Sequence, residues 1–399
     1  MVAFTAFCAT TLFIQLATIA ITIQRVLKRR AVSETSKTIS PPVTILRPVC
    51  GLENNLEATL ESAFQLDWPT EIEILFCVAS STDAAVPLVE KLMNRHPNME
   101  ARLLVGDDRV SINPKLNNLV KGWKSARHDW IVMADSNVLM PADYLSLLFE
   151  RMTPGTGMVC SPPVGSAPEG FAAELECAWL NSFQARWQLL ADEIGMGFAQ
   201  GKTMLVNRHL IDNAGGIERL ADEVAEDAAS TKIVRAAGLS VRLVERPFPQ
   251  PLGQRDFASI WRRQLRWARL RRVSFPLFFV PELFSGGFFP IATTLALTLA
   301  GDWSPWSMLA YVTLWYGAEL LLIRAYRWPL SIKTPGAIML RDLALPALWT
   351  AAWFGNGFVW RGNQMAVEQH HGAGTAAVRI RHAYERTRAK ARIMAAHWR

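Results

Sequence analysis

The chain has 399 residues, half of them apolar, with a formal net charge of +7 and a mean hydropathy of +0.13. It is too long for one small domain and too apolar for an ordinary soluble enzyme, so membrane segments are expected. The positive balance favours partners that carry phosphate, whether a nucleotide, a nucleic acid or an anionic bilayer surface. Residues 2–23 form the first predicted element, an apolar run long enough to span a bilayer, and Arg25, Lys28, Arg29 and Arg30 follow it. Charge after the run rather than before it predicts a signal anchor with the following chain in the cytoplasm. Residues 41–250 then alternate β-rich runs (43–49, 71–79, 101–106, 130–137 and 157–164) with amphipathic helical patterns (56–64, 86–94, 114–126 and 141–152). Such alternation predicts an α/β domain whose mostly parallel sheet carries helices on both faces and binds ligands at the carboxyl ends of its strands. The five cysteines are scattered, without a CxxC pair, and read as reduced small hydrophobes rather than zinc ligands.

No GxxxxGK[ST] or GxGxxG follows the first strand, which argues against a P-loop ATPase and a dinucleotide dehydrogenase. The strand ends offer carboxylates instead. Asp83 follows the second run, and Asp135 in "ADSN" closes the fourth. An acid at that rim suits a divalent cation gripping a diphosphate. The alternatives are an Asx turn or cap at Asp135 and a helix N-cap at Asp83. Glu226 and Asp227 open a further amphipathic helix, where they either complement its dipole or supply a general base.

The stretch "RRQLRWARLRR" at 262–272 holds six arginines, and the apolar "FPLFFVPELF" that follows at 275–284 predicts an interfacial helix. Residues 283–300 and 306–323 read as two more spans. Residues 342–359, broken by Pro346, Gly355 and Gly357, suit a re-entrant segment or a fourth span, and the basic tail beyond them suits anionic lipid or plain solvation. Arg269, Arg271 and Arg272 are expected against lipid headgroups.

Six segments together carry a resemblance: "LRPVCGLENNLEATLES", "INPKLNNLVKGW", "VMADSN", "GFAQGKTMLVNRHLIDNAGGI", "AEDAASTK" and "RQLRW". In this order, over about residues 41–275, the chain resembles the ceramide glucosyltransferases and their bacterial glycolipid-synthesising relatives, whose signature is three separated aspartates and a (Q/R)xxRW motif. The resemblance implies an inverting, membrane-bound glycosyltransferase of the GT-A type, moving glucose or galactose from a UDP-sugar to a lipid hydroxyl. By position, Asp83 would help hold the uridine nucleotide, and Asp135 would bind the sugar diphosphate through Mg²⁺ or Mn²⁺. Asp227 would be the general base, and Arg263, Arg266 and Trp267 would form the RxxRW element. Arg47 and Lys115 would be nucleotide contacts.

Two departures bear on the acceptor and the metal. Asn137 stands where many relatives have an acid or a glycine, and Asn181–Arg186 lacks the histidine of the animal ceramide enzymes. Ceramide is the leading acceptor, with diacylglycerol or a hopanoid as alternatives; a polysaccharide synthase would need more membrane segments, and a nucleic-acid binder leaves the aspartates unexplained. The expected organisation is an anchor (1–24), a cytosolic GT-A domain (25–274), an interfacial helix with membrane segments (275–360) and a basic tail (361–399), in a multi-pass protein of a bacterial inner membrane.

Overall fold

The structure, a computed structural model, describes residues 1–32, 39–360 and 363–366; the expected basic tail otherwise lies outside the described residues. The elements run α1 (Val2–Val32), β1 (Val43–Pro48), α2 (Leu56–Glu61), β2 (Ile72–Val78), α3 (Val86–Arg95), β3 (Glu100–Val105) and α4 (Pro114–Ser125). Next come β4 (Trp130–Ala134), α5 (Tyr144–Phe149), β5 (Thr156–Cys160), β6 (Val164–Glu169), α6 (Gly170–Ala178) and α7 (Arg186–Glu193). A π-helical stretch, Trp179–Ala185, joins these last two helices. Then follow β7 (Thr203–Asn207), α8 (Arg208–Asp212), α9 (Glu226–Ala236), β8 (Ser240–Leu243), β9 (Pro249–Gln254) and α10 (Phe257–Ser274). The chain continues through α11 (Pro276–Glu282), α12 (Phe288–Leu299), α13 (Pro305–Ala325), α14 (Thr334–Trp353), β10 (Gly357–Trp360) and β11 (Asn363–Ala366).

These elements fall into two compact units that interleave in sequence. Of the described residues, one unit, here the sheet unit, takes in 39–162, 194–248 and those from 357 on; the other, the helical unit, takes in 1–32, 163–193 and 249–356. The stretches 163–193 and 249–274, grouped with the sheet in the sequence reading, thus lie in the helical unit.

The sheet unit is built on seven strands in the order β3-β2-β1-β4-β7-β5-β8. β1 runs parallel to β2 and β4, and β2 parallel to β3, while β7 runs antiparallel to both β4 and β5. Strands covered on both faces read as continuous apolar runs, and β1 is buried throughout. On one face Ile45, Ile74, Phe76 and Val132 form a core with Leu60 of α2, Val89 of α3 and Leu148 of α5. The other face meets α4, close enough that a Cβ at Gly122 would come within 2.8 Å of Cys77 Sγ and 3.1 Å of Leu46 Cδ2. Glu73 is the one acid inside β2, and it is compensated: Thr44 Oγ1 (2.7 Å), Arg127 N (2.9 Å) and Arg102 Nη2 (2.5 Å) all donate to it. This is the mostly parallel, helix-covered sheet expected from the alternation of runs, with the antiparallel β7 as the addition.

In the helical unit β6 and β9 pair in parallel, and α6 packs on both α14 and β6. A buried polar network ties α1, α7, α13 and α14 together: Arg186 Nη1 donates to Gln15 Oε1 (2.6 Å) and Gln15 Nε2 to Glu319 Oε1 (3.1 Å). Arg341 pairs with Glu319 (2.9 Å) and Asp342 (2.7 Å). Glu319 and Asp342 thus share Arg341, while the buried Arg186 guanidinium meets the uncharged Gln15.

Among the described residues, two helices are long and apolar enough to cross a membrane, Val2–Leu27 and Pro305–Ala325. The expected span 283–300 is shorter than read: α12 has twelve residues, about 18 Å at ~1.5 Å per residue. Gly286 and Gly287 break it from α11. The Gly287 N–H donates to Asp342 Oδ2 (2.9 Å), and a Cβ there would sit 2.6 Å from the same oxygen. Of the ambiguous segment 342–359, residues 342–353 are the second half of α14, which begins at Thr334 and holds the buried Arg341–Asp342 pair, and the rest leads into β10.

Candidate functional site

The site grows from the carboxyl end of β4. Asp135 is the first residue past that strand, and its backbone N–H donates to the Lys202 carbonyl (3.1 Å). This contact exists because β7 pairs antiparallel with β4, Ala134 opposite Thr203, so Lys202 enters its strand beside Asp135. The side chains repeat the pairing: Lys202 Nζ lies 2.9 Å from Asp135 Oδ2 and donates to Asn137 Oδ1 (3.0 Å). The other carboxylate oxygen, Oδ1, is 2.7 Å from Lys115 Nζ. The oxygens of Asp135 therefore go to two lysines rather than to an Asx turn.

Lys115 is delivered by a helix start. Asn113 caps α4, its side-chain oxygen accepting from Lys115 N (2.9 Å) and Leu116 N (3.2 Å), with Pro114 in the first turn. The Asn113 amide then donates to Glu226 Oε2 (2.7 Å), while Glu226 Oε1 lies 2.6 Å from Lys115 Nζ. Lys115 also donates to the Gly201 carbonyl. One ammonium thus sits in a cage of three oxygens from Asp135, Glu226 and Gly201. Burial alone would depress this lysine, but the two carboxylates outweigh it and hold its pKa above the ordinary range. Asp135 mirrors this: burial opposes its charge, and Lys115 and Lys202 prevail, holding it well below the usual carboxylate range.

Asp227 stands next to Glu226 in the first turn of α9. Its Oδ2 accepts from Gly201 N (3.0 Å) and its Oδ1 from Ala228 N (2.8 Å). The 199–202 segment is itself pinned to α9, since Thr231 Oγ1 accepts from Ala199 N (2.8 Å). Burial and the neighbouring Glu226 charge raise the Asp227 pKa to about 6, against the opposing Lys115 charge and the two N–H donors. A carboxylate poised there is a competent base near neutral pH.

Gly201 is the closest point of the constellation. A Cβ at this position would lie 2.8 Å from Glu226 Oε1, 3.0 Å from Lys115 Nζ and 3.3 Å from Asp227 Oδ2. Gly201→Ala is expected to destabilise the sheet unit by about 1–3 kcal/mol and to lower activity more than its loss of stability explains. Thermal unfolding and turnover of the same preparation check this.

Arg47 and Asp83 occupy supporting places. Arg47, fully buried in β1, donates through Nη2 to the carbonyls of Thr59 (3.0 Å), Ser136 (3.1 Å) and Val138 (3.3 Å), so it fixes the loop that carries Asp135 from below. Burial brings its guanidinium down to about 10, opposed by the Asp135 charge. Asp83 accepts from Gly51 N (2.9 Å) and Ala85 N (2.8 Å), joining the loops after β1 and β2.

The structure thus brings Lys115, Asp135 and Asp227 together in the sheet unit, with Arg47 beneath. Arg263, Arg266 and Trp267 lie on α10 of the helical unit. There Arg263 pairs with Glu176, and Trp267 packs against Ala173, Cys177, Leu180 and Leu252. The three arginines expected at lipid headgroups have internal partners instead. Arg271 makes a two-pronged pair with Glu282 (2.9 and 2.6 Å), Arg269 donates to the Phe354 carbonyl (2.7 Å), and Arg272 donates to Asn356 (2.6 Å). The reason is packing: α10 lies along α11 and α14, whose ends present these acceptors.

Lys202, Asn113 and Gly201 complete the site beyond the expected residues, and Glu226, expected beside Asp227, is the second acid on Lys115. "KTMLVN" is a buried, strand-like run, and reading it as β7 would have drawn attention to Lys202 at its start. For a divalent cation, the oxygens around Asp135 are of the right type, since hard cations take carboxylate and carbonyl ligands. Lys115 and Lys202 hold those oxygens here, so a bound cation would take the place of an ammonium at Asp135. Among the described residues no group of three His, Cys, Asp or Glu side chains is set out as a metal site.

The chain is similar to several known proteins. Ceramide glucosyltransferase 1 of Caenorhabditis elegans is 29% identical over 244 residues, 61% of this chain and 52% of that protein. Ceramide glucosyltransferase 3 of the same organism is 26% identical over 332 residues, 81% of this chain and 72% of that protein. The chain thus spans about half the length of the first of these relatives. Among solved structures, a mannosyltransferase from Pyrobaculum calidifontis in complex with GDP-Man and Mn²⁺ is similar at 17% identity and a TM-score of 0.49, covering 86% of this chain and 98% of that one. The family model that matches, over residues 9–373, is that of glycosyl transferase family 21, and the chain belongs to this family.

Proposed function

We propose that this protein transfers a hexose, glucose or galactose, from a UDP-sugar to the hydroxyl of a membrane lipid, with ceramide as the leading acceptor. The observation that carries the reading is the constellation at the end of β4: a diphosphate-side acid, Asp135, set between two lysines, and a separate buried acid, Asp227, poised near neutral pH. Asp227 removes the proton of the acceptor hydroxyl as its oxygen attacks the anomeric carbon. A single displacement inverts that carbon and needs no enzyme nucleophile.

Negative charge develops on the departing diphosphate, and fixed cations stabilise it without reorganisation. Lys115 and Lys202 are the cations of the sheet unit, and Arg263 and Arg266 are the guanidinium groups of the RxxRW motif. Mg²⁺ or Mn²⁺ held by Asp135 would add charge neutralisation of the same kind when bound. Asp83 is assigned to the uridine end of the donor, and Arg47 to holding the Asp135 loop.

The lipid acceptor accounts for the exposed apolar surface of the helical unit. Phe13 on α1 and Leu309, Leu314 and Leu321 on α13 are exposed, as are Leu277 and Phe278 on α11. Helices with such surfaces suit insertion into a bilayer and its interface. Transfer is tested by incubating membranes containing the protein with UDP-glucose or UDP-galactose and with ceramide or diacylglycerol, then weighing the lipid products by mass spectrometry. A hexosylceramide is the expected product. Hexose on diacylglycerol alone would move the acceptor class, and no hexosyl lipid from any combination would overturn the reading.

A further inference from the structure

The RxxRW motif stands on α6. Arg263 and Trp267 are four residues apart on α10 and therefore share a face. Trp267 packs on Ala173, Cys177 and Leu180, and Arg263 reaches Glu176 between them. Glu176 is fully buried, and neither of its oxygens is left over: Oε1 takes Arg263 Nη1, and Oε2 takes Arg255 Nε at 2.9 Å. Arg255 arrives from the end of β9, one residue before Asp256, which caps α10 by accepting from Ser259 N (2.8 Å). The carboxylate thus ties three elements, α6, α10 and the β9–α10 junction, at the level of the first motif arginine.

A guanidinium on a flexible stem has many rotamers, and one anchored edge removes most of them. We propose that Glu176 is a positioning residue of the transfer reaction: its buried carboxylate, shared between Arg255 and Arg263, holds Arg263 in the orientation in which it meets the negative charge of the sugar nucleotide. The inference rests on the transferase reading above and on the motif taking part in transfer. Glu176 itself touches no substrate. Its contribution is orientation, so its removal acts on the transition state through Arg263 rather than on substrate affinity.

The test uses the full chain in detergent with UDP-glucose and ceramide micelles, comparing wild type, Glu176→Gln, Arg263→Lys and the double variant. Glu176→Gln is expected to lower kcat about 10–100-fold with the KM for UDP-glucose nearly unchanged, and to lower it far less in the Arg263→Lys background. If Glu176→Gln does not give a monodisperse, cooperatively unfolding protein, Glu176→Asp takes its place; it keeps the charge but withdraws the carboxylate, and the same split with a smaller loss is expected. A wild-type kcat in the folded variant, or effects of the two substitutions that simply multiply, overturns the proposal. Unchanged kcat in Arg263→Lys alone removes the motif arginine from catalysis and this proposal with it, while leaving the transferase reading in place. Absence of transfer by the wild type overturns both.

Discussion

Asp227→Asn is expected to lower hexose transfer about 10²–10⁴-fold while the protein stays folded. The amide keeps the volume of the side chain, and its one oxygen can still accept from Gly201 N or from Ala228 N, which in the wild type donate to different carboxylate oxygens. It cannot take a proton. The pH dependence follows from the raised pKa of about 6: the wild-type rate is expected to fall as pH drops through that value, because the base is then protonated. Stability should run the other way. A folded-state pKa above the unfolded value, about 3.9 for an ordinary aspartate, means that the fold favours the protonated acid. The stabilisation from this group is present in full below the unfolded value and is lost as pH rises through about 6. At neutral pH the buried charge is therefore a net cost, whose relief in Asp227→Asn is offset by the one accepted hydrogen bond lost with an oxygen, so the variant is expected to unfold at about the wild-type temperature. Thermal scans and initial rates at pH 5 to 8 check both signs. An inactive variant that is also less stable at neutral pH would indicate a structural role for Asp227.

The second large effect is expected at Lys115. Its ammonium is shared by Asp135, at 2.7 Å, and Glu226, at 2.6 Å, and only 9% of the side chain is exposed. Lys115→Met takes the cation from the buried Glu226 and leaves Asp135 with Lys202, a change that costs about 3–5 kcal/mol when one partner of a buried pair is lost. For a unit of this size that corresponds to a fall of roughly 10 °C in Tm. Transfer should fall below detection even at temperatures where the variant is folded, because a cation assigned to the departing diphosphate is gone. Lys202→Met is the comparison. Its loss leaves Asp135 paired with Lys115, so a smaller fall in Tm is expected. Equal losses of stability in the two variants would contradict the central place given to Lys115.

Much of the sheet was legible in the chain. β1, β2, β4 and β5 are runs of buried, mostly apolar residues between turn signals, as strands covered on both faces must be, while β3 is a partly exposed edge strand. The later strands were harder for physical reasons. β8 is four residues long, and β9 contains Pro249, Pro251 and Gly253, residues that weigh against a strand. Asp135 was found because the end of a parallel strand is a privileged place. Its partner Lys115 was named through the resemblance, but Lys202 was not, because it reaches Asp135 through β7, whose antiparallel placement is a property of the whole sheet. From spacing alone Glu226 and Asp227 were legible as a pair at a helix start, and the resemblance singled out Asp227; the difference between them is made in space, Glu226 held by Lys115 and Asn113 and Asp227 by backbone N–H groups. The basic stretch was legible as charge but not as a set of partners. Four of its arginines meet Glu176, Glu282, Asn356 and the Phe354 carbonyl, all distant enough in sequence that composition gives no hint of them.

The most direct test of the account is the anomeric configuration of the lipid product. Protein in a host that supplies both ceramide and diacylglycerol is provided with UDP-glucose and UDP-galactose, and the purified glycolipid is examined by NMR. Transfer by a single displacement, with Asp227 as base, predicts a β-linked hexose on the lipid hydroxyl and none when Asp227 is Asn. An α-linked hexose, or a β-linked product made equally well by the Asp227→Asn protein, would contradict it.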